Sequence, residues 1–246
     1  MLGAERPKLV VCIPTYNERD NLEPLVFALN DVLDPARDEV LVIDDNSPDG
    51  TGDLADRLAE ELPWVSVLHR KQKEGIGAAY RAAFPLALAM GAELVVQMDC
   101  DFSHDPEDVP RLIGACEQGA DLAVGSRWVP GGGTVNWRLP RRLVSQAGSL
   151  YARLVLGVGV KDLTGGFKCF RRHVLETVDL DAITTRGYGF QIEMTYRALR
   201  AGFRVVELPI TFVDRRVGQS KMSSAIIIEA MRRVPLLRAR ALTGRL

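Results

Sequence analysis

Five short apolar runs, each ending in polar residues, constrain this chain more than any other feature. They fall at residues 9–13, 39–43, 64–68, 94–98 and 122–125. Each has the length of a strand, and most are continuously apolar with no alternation. Between them the spacing turns helical. The first such stretch places Leu22, Leu25, Val26, Leu29 and Val32 on one face, with Asn21 as its predicted cap. Others cover 51–62, 77–90 and 106–117. Strands apolar on both faces, alternating with helices, predict an α/β domain with a mainly parallel central sheet flanked by helices.

After Ser126 the rhythm changes. Pro130-Gly131-Gly132-Gly133 reads as a flexible loop, residues 139–156 as a helix, and 203–213 as one strand. Pro209 places that strand at an edge or bulge. This half is expected to complete the sheet and build the second side of a cleft. The expected division is a catalytic domain over 1–222 and a basic amphipathic tail over 223–246.

Composition narrows the class. The chain has 246 residues, 47% of them hydrophobic, and a formal net charge of -1. It can bury a substantial core, and it has no overall attraction for nucleic acid. Cys12, Cys100, Cys116 and Cys169 are scattered, which suits core residues in a reducing compartment. No leader is expected, because residues 1–8 lack an apolar centre. The longest apolar stretch, 82–92, is broken by Pro85 and Gly91 and falls short of a membrane span. From Arg215 onward the charge is almost all basic and interleaved with Ile226, Ile227, Ile228, Met231, Val234, Leu236 and Leu237. Two readings stand for this tail: a helix docked on the domain, or one lying on an anionic membrane surface.

In open α/β sheets, ligands gather beyond the carboxyl ends of the strands. The first run leads into Pro14-Thr15-Tyr16-Asn17-Glu18, and the second into Asp44-Asp45-Asn46-Ser47-Pro48-Asp49-Gly50-Thr51. The fourth leads into Asp99-Cys100-Asp101 and the fifth into Ser126-Arg127. An Asp-x-Asp by itself is as compatible with a solvated turn as with a metal site. At a strand end, two carboxylates can hold one divalent cation and leave positions open for phosphate oxygens. For Asp49 and Thr51 the expected role is turn and cap.

Pro14-x-Tyr16-Asn17-Glu18, Asp44-Asp45-x-Ser47-x-Asp49-Gly50-Thr51 and Asp99-x-Asp101 resemble the ordered motifs of inverting GT-A-fold glycosyltransferases of family two. Thr164-Gly165-Gly166-Phe167, Gly187-Tyr188-x-Phe190-Gln191-Ile192-Glu193-Met194 and Arg215-x-x-Gly218-x-Ser220-Lys221 narrow this. Those runs are similar to the ones in dolichyl-phosphate (polyprenyl-phosphate) mannose synthases. The resemblance spans residues 8–222, nearly the whole chain.

The resemblance implies a guanosine pocket lined by Pro14, Tyr16, Glu18, Ile43 and Asp45, and a donor site that includes Cys100 and Arg127. It implies Mg²⁺ or Mn²⁺ on Asp99 and Asp101. Ser103 stands where family members often carry Gln. Arg215 and Lys221 would neutralise the donor diphosphate, with Asp101 and Arg215 as the catalytic residues. Arg127, Arg141 and Ser145 match the family's lipid-phosphate pocket.

The implied reaction takes mannose from GDP-mannose to a polyprenyl or dolichyl phosphate. Its alternatives are transfer of glucose from UDP-glucose, or a non-catalytic nucleotide-sugar-binding subunit. A lipid acceptor implies peripheral contact with the cytoplasmic face of a membrane. Residues 139–156 and 223–242 are the candidate helices for it, with a separate membrane partner subunit as the other route.

Overall fold

The computed structural model describes residues 8–183, 185, 187–214, 224–244 and 246, with the backbone alone for 224–230. The first half alternates β1 (Leu9–Thr15), α1 (Arg19–Asn30), β2 (Glu39–Asp44), α2 (Thr51–Glu61), β3 (Val65–His69) and α3 (Ile76–Ala89). Then come β4 (Leu94–Gln97), α4 (Val109–Glu117) and β5 (Leu122–Ser126). The second half holds β6 (Gly133–Val135), α5 (Leu139–Leu156), β7 (Lys168–Arg171), α6 (Arg172–Thr177) and α7 (Tyr188–Arg200). It ends with β8 (Val205–Pro209), β9 (Thr211–Val213) and α8 (Ser224–Leu242).

The main sheet runs β3-β2-β1-β4-β7-β5-β8. All of its strands are parallel except β7, which lies antiparallel between β4 and β5. The continuous apolar runs supply both cores by alternation. Leu9, Val11 and Ile13 face the side covered by α1, α2 and α4, whereas Val10 and Cys12 face the side covered by α3 and α7. All five are fully buried. Burying one large apolar side chain contributes about 1.5–3 kcal/mol, so a sheet filled on both faces anchors the strand ends where the polar clusters sit. A third core joins α5, α7 and α8 through Ala152, Leu156, Ile192, Tyr196, Val234, Leu237 and Ala241. The basic tail is thus docked along one side.

Several local expectations are corrected. Asn21 lies inside α1 and is not its cap; its amide donates to the Glu18 carboxylate at 2.9 Å. The single strand expected over 203–213 is two. Pro209 closes β8 at the edge of the main sheet, and β9 pairs with β6 in a separate two-stranded sheet. The glycine loop is packed: a Cβ on Gly132 would lie 2.4 Å from the Ser126 carbonyl oxygen, so only glycine fits against the end of β5. Four elements were not foreseen: β6, β7, α6 and α7. Among the described residues no helix is long and apolar enough to cross a membrane.

Candidate active site

The polar clusters after β1, β2 and β4 come together because these strands are immediate neighbours in parallel register. The turn after β2 is held from inside. Asp44 accepts from the Ser47 backbone N–H at 3.1 Å and the Ser47 hydroxyl at 2.5 Å. Asp49 accepts from the Thr51 N–H at 3.0 Å and its hydroxyl at 2.6 Å. Thr51 in turn accepts the Glu18 N–H at 3.0 Å, tying the turn after β1 to the turn after β2. Asn17 and Asn46 take left-handed φ values of 56° and 58° in these turns, a conformation asparagine tolerates better than most residues. Asp49 and Thr51 therefore serve the turn and the helix start, as expected.

On this base Asp45 is buried and paired with Arg70 at 2.5 Å. Burial raises its carboxyl above the ordinary range; Arg70 opposes that shift without cancelling it. The Lys73 ammonium sits 3.9 Å from the centre of the Tyr16 ring. Pro14 is half-buried beside them. The Ile43 side chain is fully buried in the core with Cys12, Leu41 and Tyr80, so a pocket contact from this residue would be made by its backbone.

The Asp99–Asp101 loop is ordered by its own backbone. The Ser103 N–H donates to the Asp101 carboxylate at 3.1 Å, and the Ser103 carbonyl accepts from Val213 at 3.3 Å. Phe102 between them has φ of 59°. A bulky residue in this region stores strain, a feature that concentrates at functional sites. The Cys100 side chain is buried in the core. His104 is buried, stacks on Phe167 at 4.8 Å, and accepts the Asp99 N–H at Nδ1 over 3.0 Å. That bond places the ring proton on Nε2. Burial lowers the imidazole to about 4, so it is neutral at pH 7 and shapes the loop without charge.

Among the described residues no group of three or more His, Cys, Asp or Glu is placed to cage a metal ion. Two carboxylates at one strand end suit Mg²⁺ or Mn²⁺, which are commonly held by one or two carboxylates with substrate phosphates and water completing the shell. Ser103 is buried, with its backbone committed on both sides.

Across the cleft, Arg127 is 5% exposed and held by Asp162, which is fully buried. Its Nε and Nη2 each donate to that carboxylate at 2.7 Å, and Nη2 also reaches the Thr164 hydroxyl at 3.0 Å. Burial alone would lower the guanidinium, but the charge and hydrogen bonds of Asp162, with smaller help from Tyr188 and Asp99, together outweigh it and the net shift is upward. Arg127 is therefore a braced cation with two of its three nitrogens engaged. Arg141 on α5 is paired with Asp214 at 2.6 Å. Ser145, one turn further on, is half-buried. Arg215 and Lys221 lie outside the described residues.

The Gly187–Met194 run proves to be the start of α7 and faces inward. Gln191 accepts the Lys168 ammonium through its backbone and side-chain oxygens at 2.8 and 3.0 Å. Lys168 is fully buried at the start of β7, and burial lowers its ammonium to about 7. Glu193 pairs with Arg197 at 2.8 Å and accepts from Thr185 at 3.0 Å. This run, the most family-like in the sequence, thus braces the core behind the site.

Sequence reasoning missed Arg70, Lys73, Asp162 and Asp214. Arg70 and Lys73 follow β3, an end no motif marked, although a strand-end rule applied to every strand would have found them. Asp162 stands two residues before the Thr164-Gly165-Gly166 run and was legible only as its neighbour.

The model of glycosyl transferase family 2 matches residues 10–179. An undecaprenyl-phosphate mannosyltransferase of Micrococcus luteus is 50% identical over 91% of this chain and 91% of its own length. A polyprenol monophosphomannose synthase of Mycolicibacterium smegmatis is 50% identical over 92% of this chain and 85% of its own length. In fold, the chain resembles the glucosyl-3-phosphoglycerate synthase of Mycobacterium tuberculosis, solved with Mn²⁺, UDP and glucosyl-3-phosphoglycerate. The TM-score is 0.64 at 21% identity, covering 97% of this chain and 80% of that one. The parallel sheet with its carboxylates at the strand ends, the family model and the half-identical relatives agree: this chain belongs to glycosyl transferase family 2, with a GT-A fold, and within it to the polyprenyl-phosphate mannose synthases.

Proposed function

We propose that the protein transfers mannose from GDP-mannose to a polyprenyl monophosphate with inversion, giving polyprenyl β-mannosyl phosphate and GDP. The observation that carries this reading is the 50% identity to two relatives named for mannosyl transfer to polyprenyl phosphates. The site chemistry supports it. Asp45, held by Arg70, is an acceptor for donors on the base or ribose. Asp99 and Asp101 would hold Mg²⁺ or Mn²⁺, which when bound would neutralise the donor diphosphate. Arg141 offers charge for the acceptor phosphate. By the sequence pattern, Arg215 and Lys221 help to neutralise the diphosphate. The attacking oxygen belongs to a phosphate monoester, whose second pKa is about 6, so it arrives ionised and needs no strong base. His104, neutral and packed between Phe167 and Phe212, is left to position the loop.

The test is transfer from labelled GDP-mannose or UDP-glucose to a short polyprenyl phosphate, with and without Mg²⁺ or Mn²⁺. GDP-mannose should be preferred by roughly 100-fold or more, since a polar site discriminates strongly against a mismatched partner. Preference for UDP-glucose would overturn the donor assignment. No metal-dependent nucleotide release with either donor would favour a binding subunit.

We further propose that the protein works peripherally on the cytoplasmic face of a membrane, with residues 223–246 as part of the membrane-facing surface. On α5, Leu139, Leu143, Leu150 and Leu154 recur at helical spacing and are 65%, 54%, 51% and 71% exposed. Arg142 and Arg153 flank them on the same helix. On α8, Met231, Leu236 and Leu242 are more than half exposed beside Arg232 and Arg240. Exposed leucines edged by arginines suit an interfacial surface. Leu143→Asp with Leu154→Asp should lower the fraction floated with anionic liposomes by about tenfold or more at unchanged melting temperature. An unchanged fraction would remove α5 from the membrane contact.

A further inference from the structure

Among the described residues, three buried polar atoms without a hydrogen-bond partner fall within one ten-residue segment. They are Nε1 of Trp128, Oγ1 of Thr134 and Nε1 of Trp137. A buried donor left unpaired costs free energy, and three so close together mark a segment whose polar groups no described residue satisfies. The same segment carries the rings that face both acceptor-side arginines. The Arg127 guanidinium carbon lies 5.3 Å from the Trp128 ring and 5.6 Å from the Trp137 ring. The Arg141 guanidinium carbon lies closer, 4.1 Å from the Trp137 ring. These distances are within cation–π range.

Trp137 also connects the two halves of the cleft. Its ring meets Phe212 edge-on at 5.2 Å, and Phe212 meets His104 edge-on at 5.3 Å. His104 holds the Asp99 backbone N–H at 3.0 Å. A continuous row of rings thus runs from the carboxylate pair to Arg141. The carboxylate now on Arg141 is Asp214, and both side chains are partly exposed, at 22% and 35%. A phosphate monoester, with more charge and three oxygens, can compete for that guanidinium. The exposed leucines of α5 begin at Leu139, two residues beyond Trp137, where an apolar chain attached to the phosphate could lie.

We propose that Trp128, Thr134 and Trp137 form one wall of the site for the acceptor's phosphate, with Trp137 the positioning residue that aims Arg141. The ligand is a prenyl phosphate: oxygens for Arg141 and the unpaired donors, and an apolar chain for α5. This rests on the polyprenyl-phosphate reading above, and the experiment separates the two.

The chain has three tryptophans. Trp64 is buried at the start of β3, at the opposite edge of the sheet, so changes in emission on ligand binding report on Trp128 and Trp137. Full-length protein is titrated with farnesyl phosphate, inorganic phosphate and GDP-mannose while emission is followed. Farnesyl phosphate should give a saturable change at concentrations well below those needed for inorganic phosphate. A response to inorganic phosphate alone, or none to farnesyl phosphate, would overturn the assignment.

In the transfer assay, Trp137→Leu should raise KM for the prenyl phosphate about tenfold, the size expected for a partly desolvated cation–π contact. KM for GDP-mannose should stay within about twofold, and Trp137→Phe, which keeps a ring, should recover most of the loss. Equal rises in both KM values, or an unchanged acceptor KM, would show Trp137 to be merely structural. If the leucine variant does not fold, Trp137→Phe and the wild-type titration decide. Should farnesyl phosphate saturate the emission change while no mannose is transferred, the subsite stands and the transfer reading falls.

Discussion

Asp101→Asn is expected to lower mannosyl transfer by at least about a thousandfold, in line with the loss of a charged group from an electrostatically organised site. The fold should hold. The asparagine side-chain oxygen can still accept the Ser103 N–H that Asp101 holds at 3.1 Å, so the turn that carries the strained Phe102 keeps its brace. What the variant loses is one of the two negative charges at the end of β4. A metal bound there by two carboxylates and a diphosphate would lose a protein ligand, and the leaving group its stabilisation. Asp101→Ala should abolish transfer as well, and its added loss of the turn bond should appear only as a small drop in melting temperature. Measured with metal present, wild-type-like turnover in Asp101→Asn would place the reacting diphosphate elsewhere.

Why this loop and not another could be picked out before any coordinates is a matter of periodicity. A strand buried on both faces has to be continuously apolar, so residues 9–13, 39–43 and 94–98 announce themselves, and so does the point at which each one stops. The polar residues just beyond are then forced onto one edge by the parallel order. β7 defied the same logic. Its first residue is Lys168, fully buried, and a lysine at the head of a four-residue strand reads as surface until Gln191 appears across the core to receive it. Helix α7 failed for a related reason: Gln191, Glu193, Thr195 and Arg197 are all buried, so the helix has no polar face and no amphipathic rhythm. The glycine run at 131–133 looked flexible because glycine permits motion, whereas here Gly132 is required by a close approach to β5. Site residues bound by long-range pairing were the least legible. Nothing near Asp45 in sequence points to Arg70, and nothing near Arg127 points to a carboxylate thirty-five residues on.

That distant carboxylate sets the largest expected effect on stability. Asp162→Ala should cost about 3–5 kcal/mol, the usual result of stripping one partner from a buried ion pair. Arg127 would remain 5% exposed with its charge unanswered and its backbone N–H, now 3.0 Å from the same carboxylate, unpaired. For a chain of this size the loss corresponds to a fall in melting temperature of roughly 10 °C. Arg127 holds the Asp162 carboxyl below its ordinary 3.8 despite burial, which acts the other way. A carboxyl lowered on folding stabilises fully above its unfolded pKa, and the contribution disappears as pH falls through the folded value. The wild type should therefore lose stability in acid partly through this group, and Asp162→Ala should show a shallower acid limb. Replacing both partners, Arg127→Met with Asp162→Leu, removes the stranded charge along with the pair and should recover much of the lost stability. If the double variant is as stable as the wild type yet turns over far more slowly, the pair is kept for what Arg127 does beside Trp128 and Trp137. If Asp162→Ala melts within a degree of the wild type, Arg127 is not confined as described and its charge is available to a bound phosphate.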